Sequence, residues 1–384
     1  MAWDDLANNQ TISFTNLKDA VDMGVFSKKF DISPSNEQIT KLDAELLVNL
    51  DTSFSPYASK SYNQLVVKSN LSCIVPFAST TNIAWWGIAN NETTSSPIQL
   101  LAGFNNNLDG RIFRSTDYGN NYSSVLIISD ALYSIKFMPS FRHASYLTVP
   151  PFVSVGQGRI VTNSNTNCSS WVTVSSPTTQ NLYAVAYNNI GVGIIVGASR
   201  ILKTNTSYRI NSWSIVNSVT ATWRGITSDG SVFVAVGENS SIITGNAFGT
   251  TWTTRSMPPL APSNITLTGV AYHTDGYFYA VGYTVLGALY MMRSNDGGVT
   301  WTQYNPIQSG PLFLSIPLCI ESINNRLVIG GLNKQGQIRD NVLTFCTTTS
   351  TTGNIRWNSV VKDPSTNGFD MAGDDFPNGY YSNF

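Results

Sequence analysis

The stretch "WRGITSDGSVFVAVGENSSIITGNAFGTTW", Trp223 to Trp252, decides the fold. It holds four short segments rich in β-branched and aromatic residues, broken by turns rich in Gly, Asn and Ser. An apolar opener, "WRGITS", leads to a strand that ends in Gly237. "SSIITG" follows, then a tight turn, then an aromatic strand that starts at Trp252. Four strands in some 40 to 50 residues is the arithmetic of one β-propeller blade. A blade cannot bury its faces alone, so copies of it must stack around an axis.

Copies are present. Strands ending in Gly recur at "QLLAG" (Gly103), "FVSVG" (Gly156), "GIIVG" (Gly197), "FYAVG" (Gly282) and "RLVIG" (Gly330). The next strands read "GRIFRS", "GRIVTN", "SRILKT", "LYMMRS" and "GQIRDN". The aromatics that close the units are Tyr122, Trp171, Trp213, Trp252, Trp301 and Trp357. The sequence therefore predicts a mostly β chain with a six-bladed propeller over 73–365 and a C-terminal tail over 366–384. Seven blades is the alternative, the last assembled from the strand near "NQLVVKSNL" and the tail. Residues 1–72 have a different texture. "NLKDAVDMGVF" and "TKLDAELLVNL" have helix caps at Asn16 and Thr40, which predicts a small helical or mixed docking region.

The strongest local motif is "SNDGGVTW": Ser294, Asp296, Gly298, Thr300 and Trp301 in the pattern S-x-D-x-G-x-T-W. A second, looser copy holds Ser115, Asp117, Gly119 and Tyr122. An Asp side chain can accept backbone N–H bonds in a turn, Gly takes positive φ without steric cost, and the Trp buries a large apolar area. At the same register the other units read "SNTNCSSW", "TSYRINSW" and "GNAFGTTW", so Thr166, Tyr208 and Ala247 stand where the Asp was, while the Trp stays. That drift marks the motif as structural. A calcium site at Asp296 or Asp117 would lack the several acidic oxygens such a loop uses. The motif resembles the Asp-box repeat of sialidases and related propellers, over roughly residues 73–362. The resemblance implies that the box joins the third and fourth strands of a blade, on the rim away from any active site.

Composition narrows the function. Charged residues are only 12% and the net charge is -1, which offers no basic field for nucleic acid or an anionic membrane. Cys73, Cys168, Cys319 and Cys346 lie outside CxxC spacing, so no zinc site is expected, and free thiols are expected with one or two disulfide bridges as the alternative. The N-terminus shows no secretory pattern, and no run reaches the ~20 apolar residues of a membrane span.

Catalysis finds little support. Sialidase chemistry needs three arginines for the substrate carboxylate, a Tyr–Glu pair and an acid Asp. "GRIF" has Arg111 and Ile112 but no following Pro, and it is one of a repeated strand, with Arg159 and Ile160 in the next copy. The five glutamates are Glu37, Glu45, Glu92, Glu238 and Glu321, of which the last three lie in the propeller, and no spacing brings them together. His143 and His273 lack evident partners, and no G-x-S-x-G elbow is present. No catalytic, cofactor-binding or metal residue is therefore expected. Trp85, Trp86 and Trp223 fall outside the closing position, as inner-strand packing or as platforms for sugar rings.

Over residues 10–71, "SNEQITKLDA" and "ASKSYNQLVVKS" resemble a module at the start of virion proteins of phages that infect gut Bacteroidetes. This resemblance implies a tail or head fibre component or adhesin, assembled in the host cytoplasm. Its expected partners are neighbouring virion proteins through the N-terminal region, further copies of itself, and host-surface glycan. A sialidase-like hydrolase is the alternative.

Overall fold

A computed structural model describes residues 65–69, 83–119, 121–138, 152–205, 212–216, 221–309, 316–332, 334–339, 341–347, 354–364 and 368–376. The two helices expected before residue 51, His143 and Cys73 lie outside the described residues. Every described strand belongs to the compact unit Lys60–Phe384.

The described residues form seven sheets. From the axis outward, blade 1 runs Ile83–Asn90, Gln99–Asn105, Gly110–Ser115, Ser123–Ile128. Blade 2 runs Leu132–Phe137, Phe152–Gly156, Ile160–Asn163, Trp171–Val174. Blade 3 runs Leu182–Tyr187, Gly193–Gly197, Arg200–Thr204, Trp213–Val216. Blade 4 runs Trp223–Ser228, Val232–Gly237, Ile242–Asn246, Trp252–Arg255. Blade 5 runs Thr266–Tyr272, Phe278–Tyr283, Leu289–Ser294, Thr302–Gln303. Blade 6 runs Pro317–Ile323, Arg326–Gly331, Lys334–Arg339, Val342–Thr347, with Ile307–Ser309 added parallel to its outer edge. Blade 7 has three strands: Asn354–Lys362, Phe369–Phe376 and, from the other end of the chain, Leu65–Ser69.

The inner strands of blades 1 to 7 contact one another in order, and blade 7 contacts blade 1 again, so the ring is closed. The fold is a β-propeller of seven blades, the alternative in which the strand near Leu65 and the C-terminal segment make the last blade, rather than six. The segment 369–376, expected in a tail, is the second strand of blade 7. Trp357, expected to close the sixth unit, lies on the inner strand of blade 7, where it is fully buried. Residues 65–69 are a propeller strand, inside the region assigned to the anchor.

The hydrophobic effect is exercised between blades. Seven apolar clusters fill the seven seams, one for each pair of neighbours. Valine, isoleucine and leucine from the second strand of one blade face the inner strand of the next, as Val234 and Val236 face Leu267 and Val270. The seam between blades 7 and 1 joins the chain's ends by hydrogen bonds as well. Asn358 Nδ2 donates to the Trp85 carbonyl at 2.8 Å, and Gln99 Nε2 donates to the buried Asp370 carboxylate at 2.6 Å.

The recurrent glycine has one physical cause. Each inner strand has a bulge near its start, with register shifts at Trp85/Gly87, Leu132/Ser134, Leu182/Ala184, Trp223/Gly225, Leu267/Gly269, Pro317/Cys319 and Trp357/Ser359. The bulge pushes a carbonyl at the start of the inner strand, or just before it, against a glycine at or near the end of the second strand. A Cβ at Gly103, Gly156, Gly197, Gly237, Gly282, Gly331 or Gly373 would fall closer than 3.0 Å to that oxygen. In blade 6 the residue is Gly331, not Gly330, and Gly373 of "FDMAG" is the seventh copy. Gly156→Ala is expected to cost about 2 kcal/mol or more, because the obstacle is the Ala131 backbone and not a side chain that can turn away. Chemical denaturation with an unchanged m-value would measure it.

Candidate functional site: the mouth of the central channel

The bulge creates the site. At each shift one residue of the inner strand is skipped in the ladder register and turns toward the axis. Those seven residues are Trp86, Tyr133, Tyr183, Arg224, Thr268, Leu318 and Asn358, and all line a central cavity of about 760 Å³. The next position is small in every blade: Gly87, Ser134, Ala184, Gly225, Gly269, Cys319 and Ser359. A Cβ at Gly87 would meet the Ile135 amide nitrogen at 2.8 Å, so a small residue is what lets the inner strands converge. The position after that is β-branched and buried throughout, from Ile88 to Val360.

Five blades build a crescent at this mouth: Arg356, Trp86, Tyr133, Tyr183 and Arg224. Trp86 stacks on Phe104 at 6.0 Å and meets Tyr133 edge-on at 5.8 Å. Tyr133 and Tyr183 lie 5.6 Å apart. A guanidinium caps each end, Arg224 at 4.3 Å over Tyr183 and Arg356 at 5.6 Å over Trp86, within cation–π range. Each arginine is also held by the residue that follows a bulge glycine. Arg224 Nε donates to Glu238 at 3.0 Å, and Arg356 Nε donates to the buried Asp374 at 2.7 Å. The Tyr133 hydroxyl is pushed up to about 12 by burial and by Tyr183, with Arg224 pulling the other way. The remaining side of the mouth, with Thr266, Thr268, Leu318 and Asn358, is uncharged.

Further down, Lys136 of blade 2 and Glu321 of blade 6 meet across the channel at 2.9 Å. Their side chains keep 41% and 35% of their surface open to it. Glu321 holds the Lys136 ammonium above its ordinary range, against the opposing pull of burial. The Cys319 thiol beside them is pushed up to about 12 by burial, which leaves it protonated and unreactive at neutral pH. Cys168 and Cys319 are free thiols. His273 pairs with Ser322 at 2.7 Å, away from the crescent.

The turn residues singled out by sequence lie elsewhere. Inner and third strands run in the same direction, so turns between third and fourth strands sit at the end of the ring opposite this mouth. Ser294–Trp301 and Ser115–Tyr122 are such turns. Asp296 accepts from the amides of Val299 at 3.1 Å and Thr300 at 2.9 Å, three and four residues on, and from the Thr300 hydroxyl at 2.6 Å. Ser294 Oγ donates to Asp296 at 2.8 Å and accepts from the Gly298 amide, and Gly297 and Gly298 have φ of 72° and 79°. Asp117 and Ser115 repeat the arrangement around Gly119.

The indole of Trp301 donates to the Gly298 carbonyl at 2.9 Å, Trp252 to Gly249 at 3.0 Å and Trp171 to Cys168 at 3.1 Å. In the two described turns that lack the Asp, an Asn one position earlier takes over part of the bonding: Asn246 accepts from the Thr250 amide at 2.9 Å and Asn165 from the Ser170 amide at 3.2 Å. Tyr122, Trp171, Trp213, Trp252 and Trp301 each pack back onto the preceding blade. Among the described residues no group of three or more His, Cys, Asp or Glu is placed to hold a metal ion.

No protein-family model matches this chain, and no curated protein matches it. Solved structures do. A structure described as YCF48 bound to D1 peptide aligns with TM-score 0.53 and 14% identity, over 77% of this chain and 95% of that one. U3-55K aligns with TM-score 0.53 and 8% identity, over 78% and 97%. A chain of the mitotic checkpoint complex aligns with TM-score 0.52 and 11% identity, over 81% and 91%. At such identities the likeness is one of fold. The chain is a seven-bladed β-propeller with a lined cavity on its axis.

Proposed function

We propose that this chain is a recognition propeller without catalytic activity, acting in a virion as a tail or head fibre component or adhesin, and that the channel mouth is its ligand seat. The main support is the state of the ionisable groups at that mouth. Arg224 and Arg356 are each already neutralised by a carboxylate and stacked on an aromatic ring, and the Tyr133 hydroxyl is raised rather than lowered. Nucleophilic catalysis by tyrosine needs the opposite shift, supplied by a free base. Groups fixed in this way hold a ligand by shape and stacking. The virion assignment rests on the N-terminal resemblance, and the turns at 115–122 and 294–301 fit the Asp-box pattern. YCF48, similar in fold, has been captured with a peptide, so a propeller of this fold can hold a ligand. Electron microscopy of phage particles labelled with antibody against this chain tests the assignment: label on a fixed feature of the particle is expected, and unlabelled particles sink the virion reading.

A sialidase-like hydrolase is the second reading, favoured by the convergence of Tyr133, Tyr183, Arg224, Arg356 and Glu238 on one cavity. The described lining holds two arginines where that chemistry uses three. Release of a fluorogenic sialoside or hexoside that disappears in Glu238→Gln would establish it in place of the binding reading.

A further inference from the structure

The channel is crossed partway along its length by one ion pair. Lys136 and Glu321 belong to blades separated by two neighbours on one side and three on the other, so their pair bridges the bore. Lys136 follows Tyr133 by three residues on one strand, which sets the pair roughly 10 Å below the aromatic rim. A ligand that enters past Trp86 and Tyr183 therefore meets this pair, which offers an ammonium donor and a carboxylate acceptor side by side, both partly open. Glu92 and Lys362 stand beyond it, at the ends of their inner strands.

We infer, on the recognition reading above, that this pocket takes the end of an uncharged pyranose chain, one to two rings deep. Charge is the first argument. The formal charges from the rim down to Lys136 and Glu321 pair one to one: Arg224 with Glu238, Arg356 with Asp374, Lys136 with Glu321. An ionic ligand would have to break a pair or stay uncompensated in a partly desolvated site, and both are costly. Bonding capacity is the second. A hydroxyl both donates and accepts, so vicinal hydroxyls can take a bond from Lys136 and give one to Glu321 without separating the pair. The walls are the third. Trp86 and Tyr183 retain part of their ring surface for the apolar face of a sugar, while Ser134, Thr268 and Asn358 add hydroxyl and amide groups around it. An extended peptide is a poorer fit, because the pair that crosses the bore at that depth obstructs it after about three residues.

The test is saturation-transfer NMR and calorimetric titration of the full chain. The probes are uncharged di- to tetrasaccharides of glucose, galactose, mannose and N-acetylhexosamine, with sialylated and sulfated sugars and aromatic- or proline-rich peptides in parallel. Saturable binding of at least one neutral sugar is expected. The double variant Lys136→Met/Glu321→Met removes donor and acceptor together, leaves no lone buried charge, and keeps the fold as read by its melting temperature. It is expected to weaken that sugar about 30-fold, as the loss of two modest charged hydrogen bonds would. Tyr183→Leu is expected to weaken it as well. Neutral binding that survives the double variant unchanged, or binding of charged sugars alone, overturns the inference. Flat sugar titrations with Trp86-dependent peptide binding overturn the sugar and keep the recognition reading. Flat titrations with every class overturn both.

Discussion

A chain that starts at Lys60 is expected to fold and melt as a propeller, whereas a chain that starts at Cys73 is expected to lose on the order of 5 kcal/mol and about 10 °C in melting temperature. The two differ by thirteen residues, and those residues include Leu65–Ser69. That strand pairs antiparallel with Phe369–Phe376 through five successive partners, Leu65 with Gly373 to Ser69 with Phe369. It is the third strand of blade 7, so without it the last blade keeps two strands, fewer than a sheet needs to stand on its own. At about 1 kcal/mol net for each ladder hydrogen bond, the loss is a large share of the stability of any domain. The damage also falls on the seam where Asn358 bonds Trp85 and Gln99 bonds Asp370. Equal melting curves for the two truncations would show that the ring does not need its N-terminal strand.

That strand explains why the blade count was hard to read. Five blades are contiguous in sequence and repeat the order of opener, glycine strand, third strand and aromatic, and that part of the architecture was legible. Blade 7 is split between the two ends of the chain, so no window of sequence contains it. Its copies of the pattern are present in "IRWNSVV" and "FDMAG", but Trp357 reads as the aromatic of the unit before. It lies much further beyond Gly330 than the other closing aromatics lie beyond their glycines, and it is followed by Asn358 and Ser359, as Trp223 is followed by Arg224 and Gly225.

The channel mouth was less legible still. Whether Trp86 or Arg224 faces the axis depends on a bulge, and a bulge is a property of strand pairing that no single strand displays. The only local trace is a large residue (Pro317 in blade 6), then a variable one, then a small one, then a β-branched one, across the seven openers. Glu238 and Asp374 occupy matching positions after Gly237 and Gly373, but their arginines do not: Arg356 lies directly opposite Asp374 in the ladder, whereas Arg224 is the residue skipped at the bulge.

Trp301→Ala is expected to cost about 3–5 kcal/mol, while Asp296→Ala costs about 1 kcal/mol and leaves ligand binding intact. Trp301 is buried at the seam between blades 5 and 4, among Val234, Ile242, Phe278 and Met292, and removing it opens a cavity that backbone on both sides prevents from collapsing. Asp296 is exposed, and the backbone amides it serves can turn to water. Its carboxyl is nevertheless held below the ordinary range, because hydrogen bonds from Thr300, Ser294 and Val299 outweigh the upward push of burial. A group lowered in the folded state stabilises above its unfolded pKa and loses that contribution as pH falls through the folded value. The gap between the wild type and Asp296→Ala should therefore narrow below about pH 4, and the gap for Trp301→Ala should not. Denaturant unfolding of both variants at neutral and acid pH measures this. A larger loss from Asp296 than from Trp301, or loss of ligand in a folded Asp296 variant, would move the weight of this turn from the indole to the carboxylate. The turn and the channel mouth lie at opposite ends of the same strands, so the two ends can be altered independently: substitutions at one should change stability with little effect on recognition, and those at the other the reverse.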